Sequence, residues 1–223
     1  MTASLQNTLH YFSGLPLWEL LAVISALFYV VLAAKENSWC WPAALVSTVI
    51  YSVIFYDVYL WMDALLQVYY LAMAIFGWYC WRKISPPSNN STDNKIHTPT
   101  LNIQSWPLIF HIKIIILLTA CSLAIGWLMN NYTPTDFPYL DAGTTVFAVF
   151  ATYLVTKKVL ENWLYWIVID FVSIYLYIEK DLQPTVVLFG LYVVIAIAGY
   201  SSWYGKYQKN NHQSTVNIAS ATE

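Results

Sequence analysis

Seven apolar segments, each close to the length that crosses a bilayer, constrain this chain more than any other feature. They run over residues 17–34, 39–56, 59–81, 107–129, 141–156, 163–179 and 185–203. A helix needs ~20 apolar residues to span ~30 Å of hydrocarbon, where every backbone polar group must be satisfied within the protein. The fifth segment is the weakest, being short and interrupted by Thr144, Thr145, Thr152 and Thr156. Composition agrees: 59% of the 223 residues are hydrophobic. Only 10% are charged, against ~25% in soluble domains. The expectation is an all-α polytopic membrane protein with seven transmembrane helices.

The connections share the basic residues unequally. Lys35, Arg82, Lys83, Lys95, Lys157, Lys158, Lys206 and Lys209 fall on one side of the seven spans, and Lys180 alone on the other. Lys113 lies a turn or two inside the fourth segment, where it can snorkel. The positive-inside rule then puts the N-terminus outside and the C-terminus in the cytoplasm. Asp57, Asp136, Asp141, Glu179 and Asp181 form an acidic outer rim, read either as plain solvation or as an attractor of cations. The expected organisation is an outer N-terminus (1–16), a first three-helix bundle (17–81), a cytoplasmic linker (82–106), a linker helix (107–129), a second bundle (141–203) and a cytoplasmic tail (204–223). The linker, rich in Ser, Pro and Asn, reads as flexible, and the polar tail as disordered. Residues 1–16 contain no Lys or Arg and do not resemble a cleaved signal peptide. Cys40, Cys80 and Cys121 lack metal or redox spacing and read as small hydrophobes.

The two halves resemble each other. Glu36, Asn37 and Trp41 match Glu161, Asn162 and Trp166 at an offset of 125, where Thr48 also meets Ser173. After a three-residue shift, Tyr70 matches Tyr192, Gly77 matches Gly199 and Trp81 matches Trp203. Ordered matches with one gap indicate a three-helix unit used twice. A single crossing between the units makes them a parallel 3+1+3 repeat, with a substrate site near the midplane between them. At the offset of 125, Asp170 corresponds to Leu45, so only one half carries the anion.

Candidate site residues follow from helical spacing. Trp166, Asp170 and Ser173 share one face of the sixth segment. A carboxylate at mid-depth is costly unless it faces protein or water, which marks Asp170 as functional. An aromatic ring one turn away suits a flat cationic ligand. On the third segment Asp63, Gln67 and Tyr70 share a face that Ala74 and Gly77 continue, allowing close helix approach. Gln67 can hydrogen-bond a ligand carboxamide or hydroxyl, or simply a neighbouring helix. Asp63, nearer the interface, is either hydrated or part of the site. Trp41, Thr48 and Tyr192 enter through the repeat. Asn37 and Asn162 read as helix caps, Trp39 and Trp163 as interfacial belt residues, and His111 as interfacial. The chain holds no Walker-type loop, HExxH motif or Cys/His cluster, so neither a cofactor nor a metal is expected. No concentrated basic patch points to nucleic acid. Two function classes remain: a facilitator for a small, flat cationic solute, and a membrane-embedded enzyme or partner subunit using Asp63 and Asp170.

Four motifs narrow this. Asn37-Ser-Trp-Cys-Trp-Pro, Leu60-Trp-Met-Asp-Ala-Leu-Leu-Gln-Val-Tyr-Tyr, Gly77-Trp-Tyr-Cys-Trp and Glu161-Asn-Trp-Leu-Tyr-Trp resemble the PnuC family of bacterial vitamin transporters over about residues 17–203. The resemblance implies two three-helix bundles joined by a linker helix, similar to the SWEET sugar transporters, and a homotrimer in the inner membrane. It implies uptake of nicotinamide riboside by facilitated diffusion, with trapping by a cytoplasmic kinase; related branches carry thiamine or riboflavin. By position it places Trp166, the residue four later, Gln67 and Tyr70 in the pocket. This chain departs from the pattern by carrying Asp170 where riboside members tend to carry Asn. Nicotinamide riboside and thiamine are both aromatic cations, so the carboxylate suits either.

Overall fold

The computed structural model describes residues 16–57, 61–82, 101–180 and 183–221. Among them are seven helices: α1 (Leu17–Ala34), α2 (Cys40–Asp57), α3 (Trp61–Arg82), α4 (Leu108–Tyr132), α5 (Pro138–Thr156), α6 (Asn162–Glu179) and α7 (Gln183–Ala221). Proline opens several of them: Pro16 and Pro107 precede α1 and α4, and Pro138 occupies the first turn of α5. Its missing N–H costs nothing in that first turn. α5 therefore begins three residues earlier than expected, and gains the length to cross a membrane.

Four helices, α1, α4, α5 and α7, are long and apolar enough to span a bilayer unaided. The other three are diluted by Trp, Tyr and polar residues, and these are the helices that carry most of the candidate site. α2 packs on both α1 and α3, and α6 on both α5 and α7. Contacts of α3 with α5 and of α7 with α1 close a ring of six helices, while α4 lies outside it against α5. Apolar side chains cover the exterior, among them Val49 and Val53 on α2, Ile116 and Leu117 on α4, Val168 and Phe171 on α6 and Val194 on α7. An apolar exterior this continuous fits hydrocarbon rather than water. Inside the ring the packing runs on small residues, with Ala33, Ala44, Ala74 and Ala196 buried in one cluster with Trp41, Trp81, Trp163 and Trp203.

Two turns at the basic end have one construction. After α1, Glu36 N–H donates to Ala33 O (2.9 Å) and Asn37 N–H to Leu32 O (2.9 Å). After α5, Lys158 N–H donates to Val155 O (3.0 Å) and Val159 N–H to Leu154 O (3.0 Å). Each is a Schellman ending, which needs one residue in the left-handed region. Glycine usually fills that place, but here it is Glu36 (φ 61°) and Lys158 (φ 52°).

Two expectations are corrected. The tail after Trp203 is not irregular: α7 continues through it to Ala221. Gln208 donates to Tyr204 Oη one turn back, and Lys206 reaches Glu36, so this extension has local support. Within the linker, residues 83–100 lie outside the described residues, but 101–106 form an ordered strip. Gln104 makes a parallel bridge to Val159, donating to Lys158 O and accepting from Leu160 N. Ile103 beside it is buried in the core, and Glu161 accepts hydrogen bonds from Ser105 Oγ and Trp106 N.

Candidate functional site

The ring encloses a cavity of about 350 Å³, at the small end of the ~300–1,000 Å³ typical of ligand pockets. Trp41, Thr48, Gln67, Tyr70, Trp166, Asp170 and Tyr192 all line it. Sequence reasoning had drawn these from four helices, and the fold brings them to one space. Ser173 is buried but is not on the cavity wall. Asp63 falls in the first turn of α3, and its side chain lies outside the described residues. A larger cavity of about 540 Å³ opens between α4, α5 and α6, but it is almost wholly apolar and holds none of the predicted residues.

Asp170 sits halfway along α6 and is 3% exposed. None of the ion pairs among the described residues involves it. A carboxylate taken out of water without a cation costs several kcal/mol in its charged form. A cationic ligand in this cavity would relieve that cost, and Trp166, Tyr70 and Tyr192 offer it aromatic faces.

Most of the wall is arranged in pairs 122 residues apart, the separation of Glu36 from Lys158. The pairs are Val30 with Thr152, Ala33 with Val155, Trp41 with Trp163, Ala44 with Trp166, Thr48 with Asp170, Gln67 with Phe189, Tyr70 with Tyr192, and Ala74 with Ala196. The same spacing relates the glycines beneath the tryptophans. A Cβ on Gly77 would lie 2.3 Å from the Trp41 ring, and one on Gly199 would lie 2.8 Å from the Trp163 ring. At this spacing Trp41 pairs with Trp163 rather than with Trp166, and Asp170 with Thr48 rather than with Leu45. The identity of Glu36-Asn37 with Glu161-Asn162 is displaced by three residues from the equivalence of the turns, which begins at Glu36 and Lys158.

Pairing by position does not mean pairing by chemistry. The α2–α3 side offers Ser47, Thr48 and Gln67, while the α6–α7 side offers Trp166, Asp170 and Phe189. Thr48 donates its hydroxyl proton to Ala44 O (2.8 Å), leaving its lone pairs free to accept. Both sides add aromatic rings, Trp41 and Tyr70 on one and Trp166 and Tyr192 on the other, but the carboxylate stands on the α6–α7 side and the hydroxyls and amide of Ser47, Thr48 and Gln67 on the α2–α3 side. Trp163 was read as a belt residue, yet it is buried and lines the cavity; Trp39 is exposed, as a belt residue should be. Tyr29, Ser47, Tyr51 and Phe189 also line it and were missed. Carrying the Tyr70–Tyr192 spacing back through both halves would have found Trp163. Asn37 Oδ1 accepts from Trp39 N in the turn just ahead of α2, whereas Asn162 is fully buried and donates to Val159 O. His111 is buried rather than interfacial, with Nδ1 3.0 Å from Tyr165 Oη.

A ring of six helices, three of them long and apolar enough to cross a bilayer, around a cavity that is part anionic and aromatic and part hydrogen-bonding, defines a polytopic membrane protein with a space for a small solute. The chain belongs to the nicotinamide mononucleotide transporter family, whose model matches residues 16–205. It is 25% identical over 202 residues to the nicotinamide riboside transporter PnuC of Escherichia coli (strain K12), covering 83% of this chain and 84% of that one. It is 21% identical over 187 residues to the riboflavin/roseoflavin transporter RibM of Streptomyces davaonensis, covering 83% and 84%. Its fold is similar to the crystal structure of the vitamin B3 transporter PnuC, with a TM-score of 0.69 and 17% identity over 93% of this chain and 90% of that one. The chain is a transporter and not an enzyme, a multi-pass protein of the bacterial inner membrane.

Proposed function

We propose that this transporter carries a small cationic aromatic vitamin, nicotinamide riboside first among them, by facilitated diffusion through the ring cavity. The observation that carries the reading is Asp170, a buried mid-membrane carboxylate without a cationic partner among the described residues, set beside Trp166 in a ligand-sized cavity. The riboside supplies a pyridinium for that wall, and sugar hydroxyls for the Thr48–Gln67 wall. The names of the relatives point the same way. Thiamine is the second reading, because its thiazolium would satisfy Asp170 equally well. Riboflavin is neutral and gains nothing from the carboxylate.

The recurrence of one spacing around the cavity supports a parallel 3+1+3 repeat, with α4 as the single crossing between α1–α3 and α5–α7. The basic end carries Lys35, Arg82, Lys157, Lys158 and Lys206, which supports a cytoplasmic placement of that end and of the C-terminus. Without an ATP-binding motif, accumulation is left to a cytoplasmic kinase that phosphorylates the arriving solute. The family resemblance adds a homotrimer, which a mass measurement of the detergent-purified protein would check.

Proteoliposomes test the transport reading directly. Labelled nicotinamide riboside should equilibrate without an ion gradient, exchange in counterflow, and accumulate only when a riboside kinase and ATP are enclosed. Uptake of thiamine with no competition from the riboside would transfer the assignment to the second reading. Uptake of neither would end this substrate class.

A further inference from the structure

Beyond the cavity, toward the basic end, the two sides of the ring are locked together by a cluster that no solute-binding role explains. Trp81 of α3 donates its indole N–H to Val155 O of α5 (3.2 Å), and Trp203 of α7 donates to Ala33 O of α1 (3.1 Å). The acceptors Ala33 and Val155 are themselves on the cavity wall. Trp81 and Trp203 lie 6.1 Å apart between ring centroids, Trp81 packs edge-on against Trp41, and Trp203 against Trp163. Four indoles thus bridge the ring from one wall to the other. At the turns beside this layer, Lys158 Nζ is 2.6 Å from Glu36 Oε1 and 4.7 Å above the Trp81 ring. Lys206 reaches the other Glu36 oxygen at 3.0 Å.

The two indole hydrogen bonds, both ion pairs and the Trp81–Trp203 contact join the α1–α3 side to the α5–α7 side, while the Trp41–Trp81 and Trp163–Trp203 contacts extend the layer within each side. A solute leaving the cavity toward the basic end must part the contacts between the sides. We propose that Glu36 and Lys158 are the latch of this gate: transport residues that do not touch solute but hold the tryptophan layer shut. Their geometry is particular. They occupy the same left-handed position in two equivalent turns, so they face each other across the centre, and they carry opposite charges. Lys158 is almost wholly buried, and Glu36 is largely so. A pair this desolvated is lost when one partner is removed, because the survivor is left uncompensated. Left-handed backbone at two non-glycine residues is strained, and the pairing of their side chains gives those positions a use.

The inference rests on the transport reading but is tested without any solute. In protein with Cys40, Cys80 and Cys121 replaced by Ala, Ser47→Cys places a thiol on the cavity wall. Its modification by a membrane-impermeant methanethiosulfonate is then timed from each face of sealed vesicles. Glu36→Gln and Lys158→Met should each speed labelling from the basic face by roughly 10-fold or more, with the opposite face unchanged. Because Lys206 also touches Glu36, the charge exchange Glu36→Lys with Lys158→Glu is made in a Lys206→Gln background, where it should return labelling to that background's rate. Labelling that stays at the parent rate in the single variants overturns the latch. So does labelling that rises equally from both faces, or that the exchanged pair fails to slow. A latch that behaves as expected in protein that takes up neither vitamin would remove the substrate assignment and leave the gate.

Discussion

Thr48 of α2 and Asp170 of α6 both lie on the cavity wall, 122 residues apart in a spacing that recurs around it, and one presents a hydroxyl where the other presents a carboxylate. Shape is therefore nearly repeated across the cavity while chemistry is not. A symmetric pocket would hold an asymmetric solute in two orientations. This one distinguishes them, because only one wall can neutralise a cation.

Replacing Asp170 by Asn removes the charge and keeps the shape. For a cationic solute the loss should be about 1–3 kcal/mol, the scale of a hydrogen bond to a charged group, or roughly 5- to 150-fold in affinity. Counterflow with the labelled riboside over a concentration series reads this directly. Unchanged half-saturation would take Asp170 out of the site. Asp170→Asn should also be at least as stable to heat in detergent, since it relieves a buried carboxylate without a cationic partner.

The glycines beneath the tryptophans give a stability prediction with an internal control. At Gly77 a Cβ would meet Trp41 at 2.3 Å, and the ring cannot retreat, being packed between Tyr29 and Trp81. Gly77→Ala should destabilise by about 1–3 kcal/mol through overpacking. Gly199→Ala, at 2.8 Å from Trp163, should cost less. Gly143 in α5 has nothing within 4 Å of a built Cβ, so Gly143→Ala should stabilise by roughly 0.5–1 kcal/mol through helix propensity alone. Melting in detergent gives the order; equal loss at Gly77 and Gly143 would contradict it.

Much of this architecture was legible in the sequence because a bilayer imposes one length on every span, and helical period places Asp170 with Trp166 and Gln67 with Tyr70. What escaped was the register between halves. Residue identity favoured Glu36 with Glu161, but the backbone equates Glu36 with Lys158, and a left-handed turn position held by two unlike residues leaves no identity to read. Trp163 reads as interfacial because it stands at the start of its span, and the offset of 125 pairs Asp170 with Leu45 where the spacing of the cavity wall pairs it with Thr48. The ordered strip at 101–106 escaped for a related reason. Its pairing with Val159 joins residues distant in sequence, and a linker's composition carries no sign of it.

Glu161 belongs to a recognisable motif but lies outside the central cavity. Its oxygens accept from Ser105 Oγ and Trp106 N, and Oε2 is 3.7 Å from His111 Nε2. It thus fastens the strip before α4 to the start of α6. Glu161→Ala removes the acceptor of an exposed and a part-buried donor and should cost about 0.5–1.5 kcal/mol of stability, with half-saturation for solute unchanged. A change in affinity at wild-type melting temperature would instead place Glu161 on the transport path.

Gln67 of α3 stands where Phe189 stands on α7, and among the described residues its carboxamide has no hydrogen-bond partner, although it lines the cavity. A free amide facing a pocket is available to a ligand, and the wall it shares with Thr48 suits the hydroxylated end. Comparing nicotinamide riboside with the N-methylnicotinamide cation separates the two ends, because the second keeps the pyridinium and the carboxamide but has no sugar. Gln67→Leu should weaken the riboside by roughly 3- to 10-fold, the worth of about one neutral hydrogen bond, and leave the methyl cation unaffected. Asp170→Asn should weaken both. Equal loss of both ligands in Gln67→Leu would mean that Gln67 reads the carboxamide instead, and would reverse the orientation of the solute between the two walls.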